Sequence, residues 1–324
     1  MEDRLNEDIF QANNLETERP REWAAMKIIA VIVTYQPDIQ KLAELLDSLL
    51  PQVSICVLVD NGSSAATRDH LQRTCSGQIE FIFLASNTGI AAAQNIGIAR
   101  AREMAGDYVL LSDQDSVPGR SMVATLAAAI ENQQNEGIKV ACAGPRYIDM
   151  RQENPPPFIR VRGLRLERCS CQTEETVVPV DYLIASGCLI PMPVLDRIGG
   201  MREDLFIDYV DIEWGLRARK SGYQSIGVCA AGMAHSLGDS PIALFGRKFP
   251  MHSPLRHYYH FRNAILLYKE SWVPLNWKCV DGWRLCLKYV FYSLFAQPRP
   301  AHWKMMTLGI WHGLGGKAGK YDKE

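Results

Sequence analysis

The sequence predicts an α/β fold, a mostly parallel sheet with helices on both faces, followed by a helical C-terminal region. Three observations predict it. Short apolar runs rich in β-branched residues recur from Lys27 onward, as strands buried on both faces require. Segments of helical period separate these runs, and that alternation argues for right-handed βαβ units. Successive runs also end in polar clusters, at the strand ends where open sheets of this kind bind ligands.

The first strand is Ile28-Ile-Ala-Val-Ile-Val33, ending at Thr34-Tyr35. A helix over Ile39–Leu50 places Leu42, Leu45, Leu46 and Leu49 on one face. The second strand, Ile55–Val59, runs into Asp60-Asn61-Gly62-Ser63, and a helix near 64–74 follows. The third, Ile79–Leu84, ends at Ser86-Asn87-Thr88-Gly89. The helix Ile90–Met104 and the strand Tyr108–Leu111 complete this series, and a fifth strand covers Val140–Gly144. Residues 145–178, with Pro155-Pro-Pro157, several arginines (Arg160, Arg162, Arg165 and Arg168 among them) and Glu174-Glu175, read as an irregular insertion. The expected division is an acidic disordered tail over 1–25, a main domain over 26–250 and a helical region over 251–324. Within the domain, one half spans about 26–145 and the other about 146–250.

Composition sets limits on function. An apolar fraction of 47% and a charged fraction of 22% are ordinary for a globular chain, and the net charge of −1 gives no reason to expect nucleic-acid binding. Nine cysteines lack paired zinc-ligand spacing, so reduced cysteines and a cytoplasmic location are expected. Residues 1–22 carry seven acidic and three basic side chains and no apolar core, unlike a secretory signal. No run reaches the ~18 apolar residues of a spanning helix. Trp283–Phe295 is short and interrupted by Arg284 and Lys288.

The strand-end clusters point to a nucleotide pocket. Asp113-Gln114-Asp115 places two carboxylates one residue apart at the tip of the fourth run. Hard cations such as Mg²⁺ and Mn²⁺ take carboxylate oxygens together with those of a nucleotide diphosphate. Each cluster alone reads equally as a turn, but Thr34-Tyr35, Asp60-Asn61, Asn87 and Asp113/Asp115 fall at four successive strand ends. Asn95 interrupts an apolar helix and needs a partner, either as a satisfied core amide or as a contact to the acidic loop or donor.

A second rich segment is Glu203-Asp204-Leu-Phe-Ile-Asp208-Tyr-Val-Asp211-Ile-Glu213-Trp-Gly-Leu-Arg217. A helix starting near Asp211 allows Glu213 and Arg217 to pair and turns Trp214 and Leu216 inward. His235 is a further candidate for a Mn²⁺ site. Arg256 and Arg262 lie in an aromatic and cationic stretch that reads as a helix edge or as a clamp on diphosphate or acceptor. Trp283–Phe295 and Trp303–Trp311 mix aromatic and basic residues, as segments lying on a membrane do and as core or dimer contacts also do.

These residues carry a resemblance. Val33-Thr-Tyr-Gln-Pro37, Asp60-Asn-Gly-Ser63, Asn87-Thr-Gly-Ile-Ala91, Asn95-Ile-Gly97, Leu111-Ser-Asp-Gln-Asp-Ser116, Ser186-Gly-Cys188, Phe206–Trp214 and Arg256–Asn263 resemble the family 2 inverting glycosyltransferases of the GT-A fold. Within that family the likeness is to the bacterial L-rhamnosyltransferases, over about Lys27–Gly316, and it implies a catalytic domain over 26–250 with a nucleotide-sugar half of about 26–145 and an acceptor half of about 146–250. The resemblance implies that Thr34, Tyr35 and Asp60 hold the base, with Asn61, Asn87, Asn95 and Gln114 in the donor site. It implies that Asp113 contacts ribose or sugar, that Asp115 and His235 bind the metal, and that Asp211 is the general base. The family's acidic pair is here Val210-Asp211, so Asp208 and Glu213 stay open as alternatives. Ser186, Arg256 and Arg262 are further candidates for acceptor or diphosphate contacts.

The implied partners are dTDP-β-L-rhamnose and a glycan acceptor, lipid-linked in O-antigen or another surface polysaccharide, at the cytoplasmic face of the inner membrane. A homo-oligomer is left open. Two alternatives remain: another dTDP- or UDP-sugar donor, and a silent nucleotide-sugar-binding domain. A sugar-phosphate nucleotidyltransferase would need a glycine-rich basic loop after the first strand, where this chain has Thr34-Tyr-Gln-Pro37.

Overall fold

The computed structural model describes residues 26–74, 78–148, 158–171, 173, 176–235, 242–244, 247–249 and 251–322. The expected tail, Pro155-Pro-Pro157 and Glu174-Glu175 lie outside these residues, as do the side chains of His235 and of residues 242–249.

Strands β1 (Ile28–Thr34), β2 (Ile55–Asp60), β3 (Ile79–Phe83) and β4 (Tyr108–Asp113) lie in the order β3-β2-β1-β4, all parallel. Helices α1 (Ile39–Leu49), α2 (Ala65–Thr74) and α3 (Ile90–Glu103) make the crossovers. β1 shows why such a run is apolar throughout. Ile29, Val31 and Val33 enter the core on one face; Ile28, Ala30 and Ile32 enter the core on the other. The four leucines predicted for one face of α1 are buried, and Asp38 caps that helix by accepting from Gln40 N–H. Gly97 of α3 lies so close to β1 that a Cβ there would stand 2.2 Å from Val31 Cγ1.

The second half departs from a purely parallel plan. It comprises β5 (Ser116–Pro118), α4 (Met122–Asn135), β6 (Val140–Ile148), β7 (Phe158–Arg162), β8 (Arg165–Cys169), β9 (Val177–Val180), β10 (Cys188–Pro191), α5 (Met192–Ile198), α6 (Val210–Lys220) and β11 (Gln224–His235). The sheet continues β4-β10-β6-β11-β5, with β10 antiparallel to both neighbours, and β5 and β9 antiparallel to β11. β10 is wedged between β4 and β6 and runs against both, so the parallel order is broken at the centre of the sheet. The stretch read as an irregular insertion holds the β7–β8 hairpin and β9.

Cys171 and Cys229 form a disulfide, which corrects the expectation that every cysteine is reduced. β9 pairs with β11 up to Val177 and Val228, and Cys229 N–H donates to Thr176 C=O at 3.1 Å, so the fold brings the two sulfurs together.

A small pair, β12 (Ile242–Leu244) and β13 (Arg247–Phe249), precedes three helices: α7 (Pro254–Lys269), α8 (Leu275–Phe295) and α9 (Arg299–Leu314). α7 and α9 pack closely because Gly309 and Gly313 face α7; a Cβ at Gly309 would lie 2.4 Å from Tyr258 C=O. Among the described residues no helix is long and apolar enough to cross a membrane.

Candidate active site

The ends of β1, β2 and β4 supply the first wall. Thr34 and Asp60, paired in register, are fully buried, and the threonine hydroxyl donates to Asp60 Oδ2 at 3.3 Å. Asp60 Oδ1 accepts from Ser63 N–H at 2.9 Å and from Arg68 Nε at 3.1 Å, so its charge is neutralised within the protein. Tyr35 stands exposed beside them, and its N–H donates to Gln114 Oε1 at 2.8 Å. Residues 34–35 are thereby tied to the Asp113-Gln114-Asp115 turn. Asn61 and Asn87 fix the next loop: Thr88 N–H donates to Asn61 Oδ1 at 2.8 Å and Gly89 N–H to Asn87 Oδ1 at 3.0 Å.

The opposite wall is the start of α6, where Asp211 occupies the first turn and accepts from Ile212 N–H at 2.8 Å. The carboxyl keeps a partial opening to solvent yet is densely surrounded by protein. It borders a cavity of about 10 Å³ lined in part by Leu111, Leu183, Cys188 and Trp214, with room for no more than one water. Burial pushes the Asp211 carboxyl up to about 6, the Ile212 N–H pulls it down, and the charges of Asp208 and Asp113 raise it further. Leu111 and Asp211 line that one cavity, so the end of β4 and the start of α6 adjoin although they are far apart in sequence.

The loop before α6 is strained and firmly held. Phe206, Asp208 and Tyr209 all adopt left-handed backbone with φ of 63–65°, a conformation that costs roughly 1–3 kcal/mol per non-glycine residue. Asn263 Nδ2 donates to the carbonyls of Leu205, Ile207 and Asp208 at 2.9, 2.7 and 2.9 Å. Arg262 donates to the carbonyls of Asp204, Leu205 and Gly319. Gly89, at φ +92°, is required here, because a Cβ would stand 2.6 Å from Phe206 C=O. From α3, Asn95 exchanges bonds with Met201 N–H and C=O at 2.7 and 2.8 Å and donates to Glu203 at 2.8 Å.

Asp115 is half-buried, and among the described residues its carboxylate has no hydrogen bond or ion pair. The backbone of His235 pairs with Ser116, one position beyond Asp115. No group of three or more His, Cys, Asp or Glu among the described residues is assembled to hold a metal. One unengaged carboxylate at a strand end fits a cation that takes its other oxygens from a diphosphate.

Residues 29–186 match the family described as Glycosyl transferase family 2. The dTDP-rhamnosyl transferase RfbF of Shigella flexneri is 36% identical over 250 residues, covering 76% of this chain and 82% of that protein. The chain belongs to glycosyl transferase family 2. An N-acetylglucosaminyl-diphospho-decaprenol L-rhamnosyltransferase of Mycobacterium tuberculosis is 25% identical over 249 residues, covering 67% of this chain and 78% of that one. The crystal structure of GalNAc-T7 with UDP, GalNAc and Mn²⁺ shares the fold, with a TM-score of 0.57 at 13% identity. That match covers 90% of this chain, which spans 56% of the GalNAc-T7 chain.

In this family 2 glycosyltransferase several candidate residues prove to be inward-facing supports. Glu213 is buried and bonded to Arg217 at 2.9 Å, the pairing its spacing predicts. Arg262 is fully buried and spends its donors on backbone carbonyls, so it is no diphosphate clamp. Ser186 is buried, donating to Ser116 Oγ at 2.7 Å and accepting from Asp113 N–H at 3.1 Å. Arg256 contacts Asp208 at 3.3 Å. Sequence reasoning missed Arg68 and Asn263 as partners of the site. The signal for Asn263 was a buried-type amide closing an aromatic stretch. A larger cavity of about 460 Å³ beside β7 and β9 lies away from the strand ends, and two of its arginines, Arg160 and Arg219, are already paired with Glu167 and Asp181.

Proposed function

We propose that this chain transfers L-rhamnose from dTDP-β-L-rhamnose to a hydroxyl of a glycan acceptor, with inversion at the anomeric carbon. The observation that carries the reading is the 36% identity to a dTDP-rhamnosyl transferase across most of both chains. The name of the mycobacterial relative supports a lipid-diphosphate-linked acceptor, and hence work at the cytoplasmic face of a membrane.

The residues divide the task by position. Tyr35, exposed beside the buried Thr34–Asp60 pair, offers its ring to the base. Asn61, Asn87 and Gln114 hold the loops that frame the nucleotide, and Asp113 faces ribose or sugar. Asp115, with His235 as second ligand, would hold Mg²⁺ or Mn²⁺. Such a cation neutralises charge on a departing diphosphate.

Asp211 takes the proton of the acceptor hydroxyl as that oxygen attacks the anomeric carbon. The bond from carbon to diphosphate oxygen breaks on the opposite side, releasing dTDP. A carboxyl held up at about 6 is a stronger base than an ordinary aspartate and is still ionised at neutral pH. Asp208, paired to Arg256, adds the repulsion that keeps Asp211 basic.

The test is incubation with Mn²⁺ and a panel of dTDP- and UDP-sugars in the presence of lipid-linked glycan, with release of nucleoside diphosphate as readout. Turnover of dTDP-rhamnose alone supports the reading; turnover of a UDP-sugar in its place refutes it.

A further inference from the structure

α8 is built inside out. Its exposed positions are Leu275, Cys279, Trp283, Cys286, Leu287, Val290, Leu294 and Phe295, with no charged side chain among them. Spacings of three and four put the first seven on one stripe, along a helix of 21 residues and roughly 30 Å. Its charged residues are all partly covered instead. Asp281 accepts from Tyr209 and Tyr268 at 2.8 and 2.6 Å, and Lys288 contacts His260 Nε2 at 2.9 Å. An ordinary surface helix does the reverse.

α9 extends the same surface. Trp303, Lys304, Thr307, Trp311 and Leu314 are exposed, and Tyr289 Oη meets Thr307 Oγ1 at 2.7 Å where the two helices adjoin. Trp311 is 72% exposed and Trp283 67%. Of the twelve large apolar side chains exposed among the described residues, nine lie on these two helices. Contiguous exposure on that scale marks an interaction surface.

Charge selects the partner. Leaving aside the four charged residues of α8, residues 271–320 hold four basic side chains (Arg299, Lys304, Lys317 and Lys320) and no acidic one, within a chain of net charge −1. Arg299 and Lys304 are exposed beside the aromatic stripe. Tryptophan with basic residues around an aliphatic strip matches the boundary between lipid tails and anionic headgroups. Since neither helix is long and apolar enough to cross a membrane, the fit is to a helix lying flat.

We propose that the outer faces of α8 and α9 dock on a bilayer bearing anionic lipid. The proposal rests on the reading of a lipid-linked acceptor only for its purpose, since docking delivers the cleft to a membrane-borne substrate.

Flotation of the full chain with vesicles tests it. The chain floats with phosphatidylcholine–phosphatidylglycerol vesicles, and less with phosphatidylcholine alone or at high salt. The double variant Leu287→Glu, Val290→Glu loses vesicle binding by tenfold or more. Arg299→Gln and Lys304→Gln each weaken it by about fivefold. Calorimetric binding of dTDP with Mn²⁺ stays unchanged in each variant, which reports an intact fold.

Three results overturn the proposal. The unaltered chain fails to float with either vesicle; the Glu variants float as well as the parent; or the chain is a dimer that does not float and that the Glu variants split, which assigns the face to a second copy. Vesicle binding without turnover of dTDP-rhamnose would leave this surface standing and remove only the donor assignment.

Discussion

Replacing Asp211 by Asn separates what the cleft costs from what it does. The carboxyl has its ordinary 3.8 raised to about 6, chiefly by burial. The protonated form is favoured in the folded protein, so this stabilisation is full below about 3.8 and lost as pH rises through about 6. At pH 7 the ionised group therefore opposes folding by up to ~3 kcal/mol, at ~1.4 kcal/mol per pH unit. Asn keeps an oxygen for Ile212 N–H and carries no charge. With ~2.1 cal/mol/K of unfolding entropy per residue over 324 residues, Tm at pH 7 rises by up to ~4 °C. Transfer falls by ~10²–10⁴, the usual worth of a positioned base. In the parent enzyme, kcat/KM is about tenfold below its plateau at pH 5 and flat above pH 7. Scanning calorimetry at pH 7 and pH 4.5, with rates from pH 5 to 8, checks both halves. A variant less stable than the parent at pH 7, or a parent rate that is level from pH 5 to 7, would refute the reasoning.

Other changes probe the supports. Asp115→Ala abolishes the Mn²⁺ dependence of dTDP binding in calorimetry, while the melting temperature without ligand is unchanged. Glu213→Gln leaves kcat within about twofold but lowers stability by roughly 1–3 kcal/mol through the weakened Arg217 pair, as read by urea unfolding. A large loss of kcat there would reassign the base. Asn263→Ala strips a donor from three carbonyls, costing about 2–4 kcal/mol, and lowers kcat more than donor affinity because the Asp211 loop loosens. Gly89→Ala forces a Cβ against Phe206 and lowers both stability and dTDP affinity, measured by melting and calorimetry.

The parallel half was legible because each of its strands is a β-branched run with both faces buried, and each crossover carries a helical stripe such as Leu42, Leu45, Leu46 and Leu49. The second half was harder to read. β10 enters antiparallel, a choice set by its neighbours rather than by Cys188-Leu-Ile-Pro191 itself. The β7–β8 hairpin had a signal that the prolines and arginines obscured: Arg160, Val161, Arg162, Gly163, Leu164, Arg165 and Leu166 alternate around a glycine. The disulfide had none, because Cys171 and Cys229 stand 58 residues apart and meet through sheet pairing. At the site, residue types marked the strand ends, but only tertiary packing separates groups facing the cleft from those that hold it. Arg262 and Glu213 look equally available in sequence, and burial assigns them inward.

The chain's last described residues double back across the molecule. Gly319 C=O meets Arg262, Lys320 Nζ reaches Asn87 C=O at 3.1 Å, and Tyr321 N–H donates to Tyr259 Oη at 2.8 Å. This segment follows α9 directly and spans from Arg262, which anchors the Asp211 loop, to the Asn87 loop. It therefore acts as a keystone: a force that shifts α9 from outside is carried to the Asn87 loop and, through Arg262, to the loop before Asp211.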